Sequence, residues 1–168
     1  QMVVLGVSVH DRLSFKPHIE NLINRCAQTF YALRVLKSQG LNGIALWDVG
    51  QAILINRLLY ASPVWWGFTD ASDKQRLKAV ISRAQRLGFL SPSTPPLSEL
   101  CGQADDTLFS AIVCNQHHVL HGLLPPIKST GHDLRTKSHD RALLPDDPLS
   151  RQNFINRMLT NKYYYAKL

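Results

Sequence analysis

Residues 17–38 read PHIENLINRCAQTFYALRVLKS. Ile19, Leu22, Ile23, Cys26, Phe30, Leu33 and Leu36 recur every three or four residues, the period of one helix face, and predict an amphipathic helix of about six turns. Pro17 suits the first turn, where its fixed φ fits and its missing N–H is not needed. Gly40 supplies the left-handed stop. The opposite face carries Glu20, Asn24, Arg25, Gln28, Arg34 and Lys37.

Two more helices follow. Ile44 to Ala61 is apolar around most of its circumference through Leu46, Trp47, Val49, Ile53, Leu54, Leu58 and Leu59, which predicts a central helix. Pro63 is expected to stop it, and Trp65-Trp66-Gly67-Phe68 forms an aromatic corner. Asp70 or Ser72 caps the third helix, which runs to Arg86 with Leu77, Val80, Ile81, Ala84 and Leu87 inward and Gly88 as its stop. Ser91 to Pro96 is a stiff connector. A short helix at Leu97–Cys101 and a longer one from about Ala104 to Leu120 are expected next. The apolar period then fails, so residues 125–149 read as an irregular linker before a last short helix from about Ser150 to Leu159.

Ahead of these helices, Val3-Val4-Leu5-Gly6-Val7-Ser8-Val9 is a β-rich run closed by the turn-forming His10-Asp11-Arg12. A strand here has no neighbouring partner and would leave an edge and an apolar face uncovered. The chain is therefore expected to be the back end of a larger protein. The fold class is mainly α: a short N-terminal β element (1–16), a helical bundle (17–124), the irregular linker, and a C-terminal helix and tail (150–168).

The 168 residues suit one domain with a usable core, and 45% hydrophobic content argues against disorder. Net charge is +7, an excess that favours polyanionic partners. It is unevenly spread: residues 1–92 carry +6, 93–127 carry −3 and 128–168 carry +4. Cys26, Cys101 and Cys114 are odd in number and lack a C-x-x-C, so neither a disulfide framework nor a zinc knuckle is indicated. Cys26 falls on the apolar face of its helix as a small core residue. No run of eighteen apolar residues spans a membrane and there is no signal peptide, so an intracellular setting, nucleus or cytoplasm, is expected.

Leu5-Gly6-Val7 followed by Leu13-Ser14-Phe15-Lys16-Pro17-His18-Ile19 resembles the join between palm and thumb in reverse transcriptases of non-LTR retrotransposons, the jockey-like LINE elements. The resemblance continues through Tyr31-Ala32-Leu33-Arg34, Leu58-Leu59-Tyr60-Ala61-Ser62-Pro63, Trp65-Trp66-Gly67 and Leu77-Lys78-Ala79-Val80. Leu134 to His139 and Asn153 to Leu159 resemble the closing tail. It implies the end of a palm over 1–16 and a thumb-like bundle over 17–124. The implied partners are an RNA template–DNA primer duplex and the remainder of the polymerase. The resemblance also implies that the leading helix lies along the duplex minor groove, with the Leu5-Gly6-Val7 element near the primer terminus.

Several constellations invite a chemical reading. Reverse transcriptases hold two divalent metals on a strand-flanked pair of acids, because phosphoryl transfer needs both the attacking and the leaving oxygen clamped. Asp105-Asp106 lacks those strands and reads as acids favoured in a helix's first turn, while Asp146-Asp147 reads as a solvated loop. No catalytic residue is assigned, and no cofactor is expected on this chain; Mg belongs, by resemblance, to the missing palm. His117, His118 and His121, with Cys114, could share a helical face, but a second ligand cluster is absent and no metal site is assigned. Trp47, Trp65 and Trp66 read as core for at least two of the three, with base stacking as the alternative.

The basic face of the third helix is the functional candidate. Lys74, Arg76, Lys78, Arg83 and Arg86 lie within thirteen residues with no acid among them, which suits a phosphate backbone instead of base reading. Lys16, His18, Arg25 and Arg34 form a second candidate line on the first helix. The expected function is thus backbone binding of a template–primer duplex, without a catalytic site. The alternatives are a helical protein-interaction module docking through the Trp-rich corner, or a non-functional retroelement remnant.

Overall fold

The structure, a computed structural model, describes residues 2–127, 141–142 and 147–165, with the backbone alone for 161–165. Most of the expected linker, Asp146 and the Leu134–His139 stretch lie outside the described residues. The fold is mainly α behind a small N-terminal sheet, as the periodicities predict. The chain divides into two compact units, Gln1–Gly102 and Gln103–Leu168.

At the start of the first unit, the apolar run is a hairpin and not a lone strand: β1 (Met2–Val4) pairs antiparallel with β2 (Val7–Val9), joining Met2 to Val9 and Val4 to Val7. The two-residue turn sets Leu5 at φ 46° and Gly6 at φ 83°, the doubly left-handed geometry that matches strand twist. The strand therefore finds its partner within its own neighbourhood. Only half of the expected exposure holds, because β1 is exposed while Val7 and Ser8 of β2 are buried. The Tyr60 hydroxyl donates to the Leu5 carbonyl at 2.8 Å and pins the turn to the bundle.

α1 (Lys16–Ser38) follows with Pro17 in its first turn and buries Ile19, Leu22, Cys26, Phe30 and Leu33. Burial pushes the Cys26 thiol up to about 11, against the pull of the Arg57 charge. Gly40, at φ 96°, closes the helix: its N–H donates to the Lys37 carbonyl and that of Leu41 to the Leu36 carbonyl.

After α1 the chain enters α2 (Gly43–Gly50), which runs into a π-helical segment, Gln51–Ile55, and then α3 (Asn56–Leu59). A Cβ at Gly50 would overlap the Phe89 carbonyl, so this close approach requires glycine. The helix ends four residues before Pro63, at Tyr60 and a left-handed Ala61. Pro63 instead sits in the first turn of α4 (Ser62–Trp65), starting an element where a stop was expected. Trp65 is fully buried and donates through Nε1 to the Tyr60 carbonyl at 3.0 Å.

Asp70 caps α5 (Ala71–Arg86) by accepting the Asp73 N–H at 2.8 Å, and Leu77, Val80, Ile81 and Ala84 face inward. α5 stops as α1 does, at a left-handed Gly88, with the Phe89 N–H donating to the Ala84 carbonyl. The Lys37 ammonium donates to the Leu87 carbonyl at 3.0 Å, satisfying an orphan group at that end. The two helices expected next are a single one, α6 (Leu97–Cys114), which continues through Gly102 and ends six residues before Leu120.

In the second unit, Phe109, Ile112, Leu124, Ile155, Met158 and Leu159 form a separate apolar core. Asp147 caps α7 (Pro148–Gln152) by accepting the N–H groups of Leu149 and Ser150. α8 runs from Phe154 to Tyr165, beyond the expected end at Leu159. No helix among the described residues is long and apolar enough to cross a membrane.

Candidate nucleic-acid interface

α5 presents its polar face to a groove of about 710 Å³ in the first unit. Lys74, Lys78, Ser82 and Arg86 line it at four-residue intervals, close to one helical turn, so their heads form a stripe along the axis. Arg83 lines its edge with the guanidinium carbon 5.5 Å from the Phe30 ring centroid, stacked on core aromatic surface. Gln75, Ala79, Trp66 and the Pro96-Leu97-Ser98 entry to α6 complete the lining. The Gln85 amide steadies the connector to that entry, 3.3 Å from the carbonyls of Ser91, Pro92 and Thr94. Among the described residues, no carboxylate lines the groove.

Arg76 stands apart from its companions. It bonds the buried Asp73 carboxylate at 2.7 Å and does not line the groove. Of the five charges, four therefore line the groove and Arg76 does not. Asp73 lies just outside the acid-free window of the sequence and three residues before Arg76, a standard helical pairing distance.

The second candidate line, on α1, does not form. Positions 16, 25 and 34 are spaced by nine residues, two and a half turns, so Arg25 points opposite Lys16 and Arg34. Lys16 reaches the Asp70 carboxylate at 3.4 Å on an exposed surface. The Asp73 amide, foremost, and then Lys16 hold the Asp70 carboxyl below its ordinary range. Arg25 lines a different concavity at the hairpin turn, beside the buried His18, and Arg34 is exposed. None of the four joins the α5 groove.

The Trp-rich corner separates by role. Trp65 is core, packed edge-on to Trp66 with ring centroids 5.9 Å apart. Trp66 is half-buried and carries Lys74 Nζ 5.0 Å above its ring, while Trp47 is half-buried elsewhere. Trp65 is fully buried and Trp66 packs half-buried against the same core, so two of the three take the expected place, and Trp66 also lines the groove. Groove residues without charge, Ser82 and Trp66 above all, escape a reading of the sequence by charge; the four-residue spacing of Ser82 between Lys78 and Arg86 is the available signal.

Asp105 and Asp106 lie in the middle of α6, not in its first turn. Asp105 is buried 2.9 Å from Arg157, and Asp106 is exposed. Desolvation pushes the Asp105 carboxyl up, with Arg157 pulling it back down. An acid committed to a guanidinium on a helix, with no flanking strands, does not fit a two-metal site. His117, His118 and His121 leave the helix: His118 Nδ1 accepts the Leu120 N–H at 3.1 Å, and His121 Nδ1 lies 2.7 Å from the Ile112 carbonyl. No group of three His, Cys, Asp or Glu among the described residues is placed to hold a metal ion.

No family of known proteins, no curated protein and no solved structure matches this chain.

Proposed function

We propose that the first unit is a thumb-like nucleic-acid clamp that grips a duplex by its phosphate backbone along the α5 groove. The carrying observation is the stripe of Lys78 and Arg86, bordered by Arg83 and with Lys74 over Trp66, in one concavity of about 710 Å³ with no carboxylate in its described lining. Adjacent like charges with no interleaved acid add their fields, and such a field attracts polyanions without reading sequence. The half-buried Trp66 gives the groove an apolar end wall on which a sugar or base face can rest.

The resemblance to non-LTR reverse transcriptases supports an RNA template–DNA primer hybrid as the duplex and a palm elsewhere in the polymerase as the second partner. On this reading the chain contributes grip, the metal chemistry belongs to the palm, and its place of work is nucleus or cytoplasm. The test is a titration with two RNA–DNA hybrids of unrelated sequence over a range of salt. Similar affinities that fall steeply with salt are expected, because bound phosphates release counterions. Salt-independent binding, or binding to an apolar protein partner alone, would replace this reading with that of a docking module.

A further inference from the structure

A second concavity of about 400 Å³ opens at the turn of the N-terminal hairpin. Leu5 and Gly6 form one wall, α1 contributes His18, Asn21 and Arg25, and Asn56, Arg57 and Tyr60 close the far side. Its polar groups are two guanidiniums, an imidazole, two amides and a phenol, with no carboxylate among the described residues. Three hydrogen bonds make it a built pocket. The Tyr60 hydroxyl pins the Leu5 carbonyl at 2.8 Å, and Arg57 Nη1 is fixed by the Arg25 carbonyl at 2.9 Å and by the Thr29 hydroxyl.

His18 is the unexplained member. Its side chain packs against Trp65, ring centroids 5.7 Å apart, and the residue is only 7% exposed. Its Nε2 is fully buried and has no hydrogen-bond partner among the described residues. A buried polar atom without a partner is rare and calls for one. His18 lines the pocket together with two cations, Arg25 and Arg57, whose charge no carboxylate of the described lining offsets.

We infer that this pocket takes a phosphate-class oxyanion, with the Arg25 and Arg57 guanidiniums supplying the charge and the buried His18 beside them sensing it. Guanidinium donors on an oxyanion are charge-assisted and strong. None of these residues lines the α5 groove, so the site stands or falls independently of the clamp.

The site is proton-linked. Desolvation, reinforced by the Arg25 charge, holds the empty-pocket His18 below the ordinary imidazole range. An oxyanion on Arg25 offsets that repulsion and favours imidazolium. The charged and titratable groups that face His18 in the pocket are Arg25, Arg57 and Tyr60. Binding takes up a proton and tightens as pH falls through the His18 transition.

The probe is inorganic phosphate compared with chloride at equal ionic strength, read on the full chain by the His18 ring-proton shift against pH. Phosphate should raise the His18 midpoint by about one unit or more, the scale of a close opposite charge. Arg25→Gln, at an exposed position, should raise the midpoint in chloride and abolish the phosphate response. Asn21→Asp, which builds a carboxylate into the pocket, should raise it in both salts. Lys78→Gln, in the α5 groove, should leave the phosphate response intact even if the clamp reading fails. An oligonucleotide with a 5′-phosphate that shifts His18 when its 5′-hydroxyl twin does not identifies a nucleic-acid end as the source. A shift with inorganic phosphate alone identifies a free oxyanion. Identical His18 titration in chloride and phosphate, or an undiminished response in Arg25→Gln, overturns the inference.

Discussion

The Nζ of Lys74 stands 5.0 Å above the ring of Trp66, so the first charge of the α5 stripe is anchored on the aromatic end wall of the groove it serves. An ammonium held over an indole face at a partly exposed site gains about 0.5–1 kcal/mol. The pair thus links packing to electrostatics: the ring fixes where the charge can act.

Trp66→Leu should therefore leave the fold intact, since Trp65 and not Trp66 is the fully buried ring. It should weaken hybrid binding by a few-fold, on the scale of the cation–π attraction it removes. Calorimetric melting alongside hybrid titration separates the two effects.

The hairpin makes a contrary pair of predictions. Removing residues 1–10 should lower Tm by several degrees, because it strips the buried Val7 from the core and the Tyr60 hydroxyl of its acceptor. Burying a valine is worth roughly 1.5–3 kcal/mol, and 1 kcal/mol shifts Tm by about 4–8 °C in a domain of this size. Val3→Lys, on the exposed β1, should change stability by no more than about 0.5 kcal/mol. Equal Tm for the full and shortened chains would mean that β2 contributes nothing to the core.

That hairpin also marks where sequence reading stops. The signal that gives away a tight hairpin is Asn-Gly or Asp-Gly, and here the turn is Leu5-Gly6, whose left-handed leucine is held by the distant Tyr60. Helices α1 and α5 are legible because period, cap and glycine stop agree within one local stretch. α6 is not, because Gly102 looks like a break yet lowers helix stability by only about 1 kcal/mol, which packing overrides. Within the groove, charge is legible and partnership is not. Asp73 lies three residues before Arg76, but only the fold shows that Asp73 is buried and holds it.

Gly50 should tolerate no side chain. Its missing Cβ lets the helix pass against the backbone carbonyl of Phe89, which cannot swing aside as a side chain could. Gly50→Ala should destabilise by about 1–3 kcal/mol despite alanine's higher helix propensity. Denaturant unfolding with an unchanged m-value would measure this directly. A gain in stability would contradict the close approach.

In the second unit, Arg157 and Asp105 form an ion pair at 2.9 Å, with Arg157 Nε and Asp105 Oδ1 buried and otherwise unpartnered among the described residues. Asp105→Ala should cost about 3–5 kcal/mol by leaving a buried cation uncompensated. Asp105→Leu combined with Arg157→Met should lose less than either single change to alanine. Chemical unfolding of the four proteins tests this. A double variant as unstable as the sum of its parts would show that the pair contributes more than it costs to desolvate.

The clamp itself is tested most directly by the salt dependence of hybrid binding in two variants. Lys78→Gln with Arg86→Gln removes two groove charges, while Arg76→Gln removes one of equal sign on the same helix but outside the groove. The slope of log affinity against log salt should fall by about two in the first, near 0.9 for each phosphate no longer neutralised, and stay unchanged in the second. If Arg76→Gln lowers the slope as much per charge as the groove variant does, or if the groove variant keeps its affinity and its slope, the α5 groove is not where this chain holds a duplex.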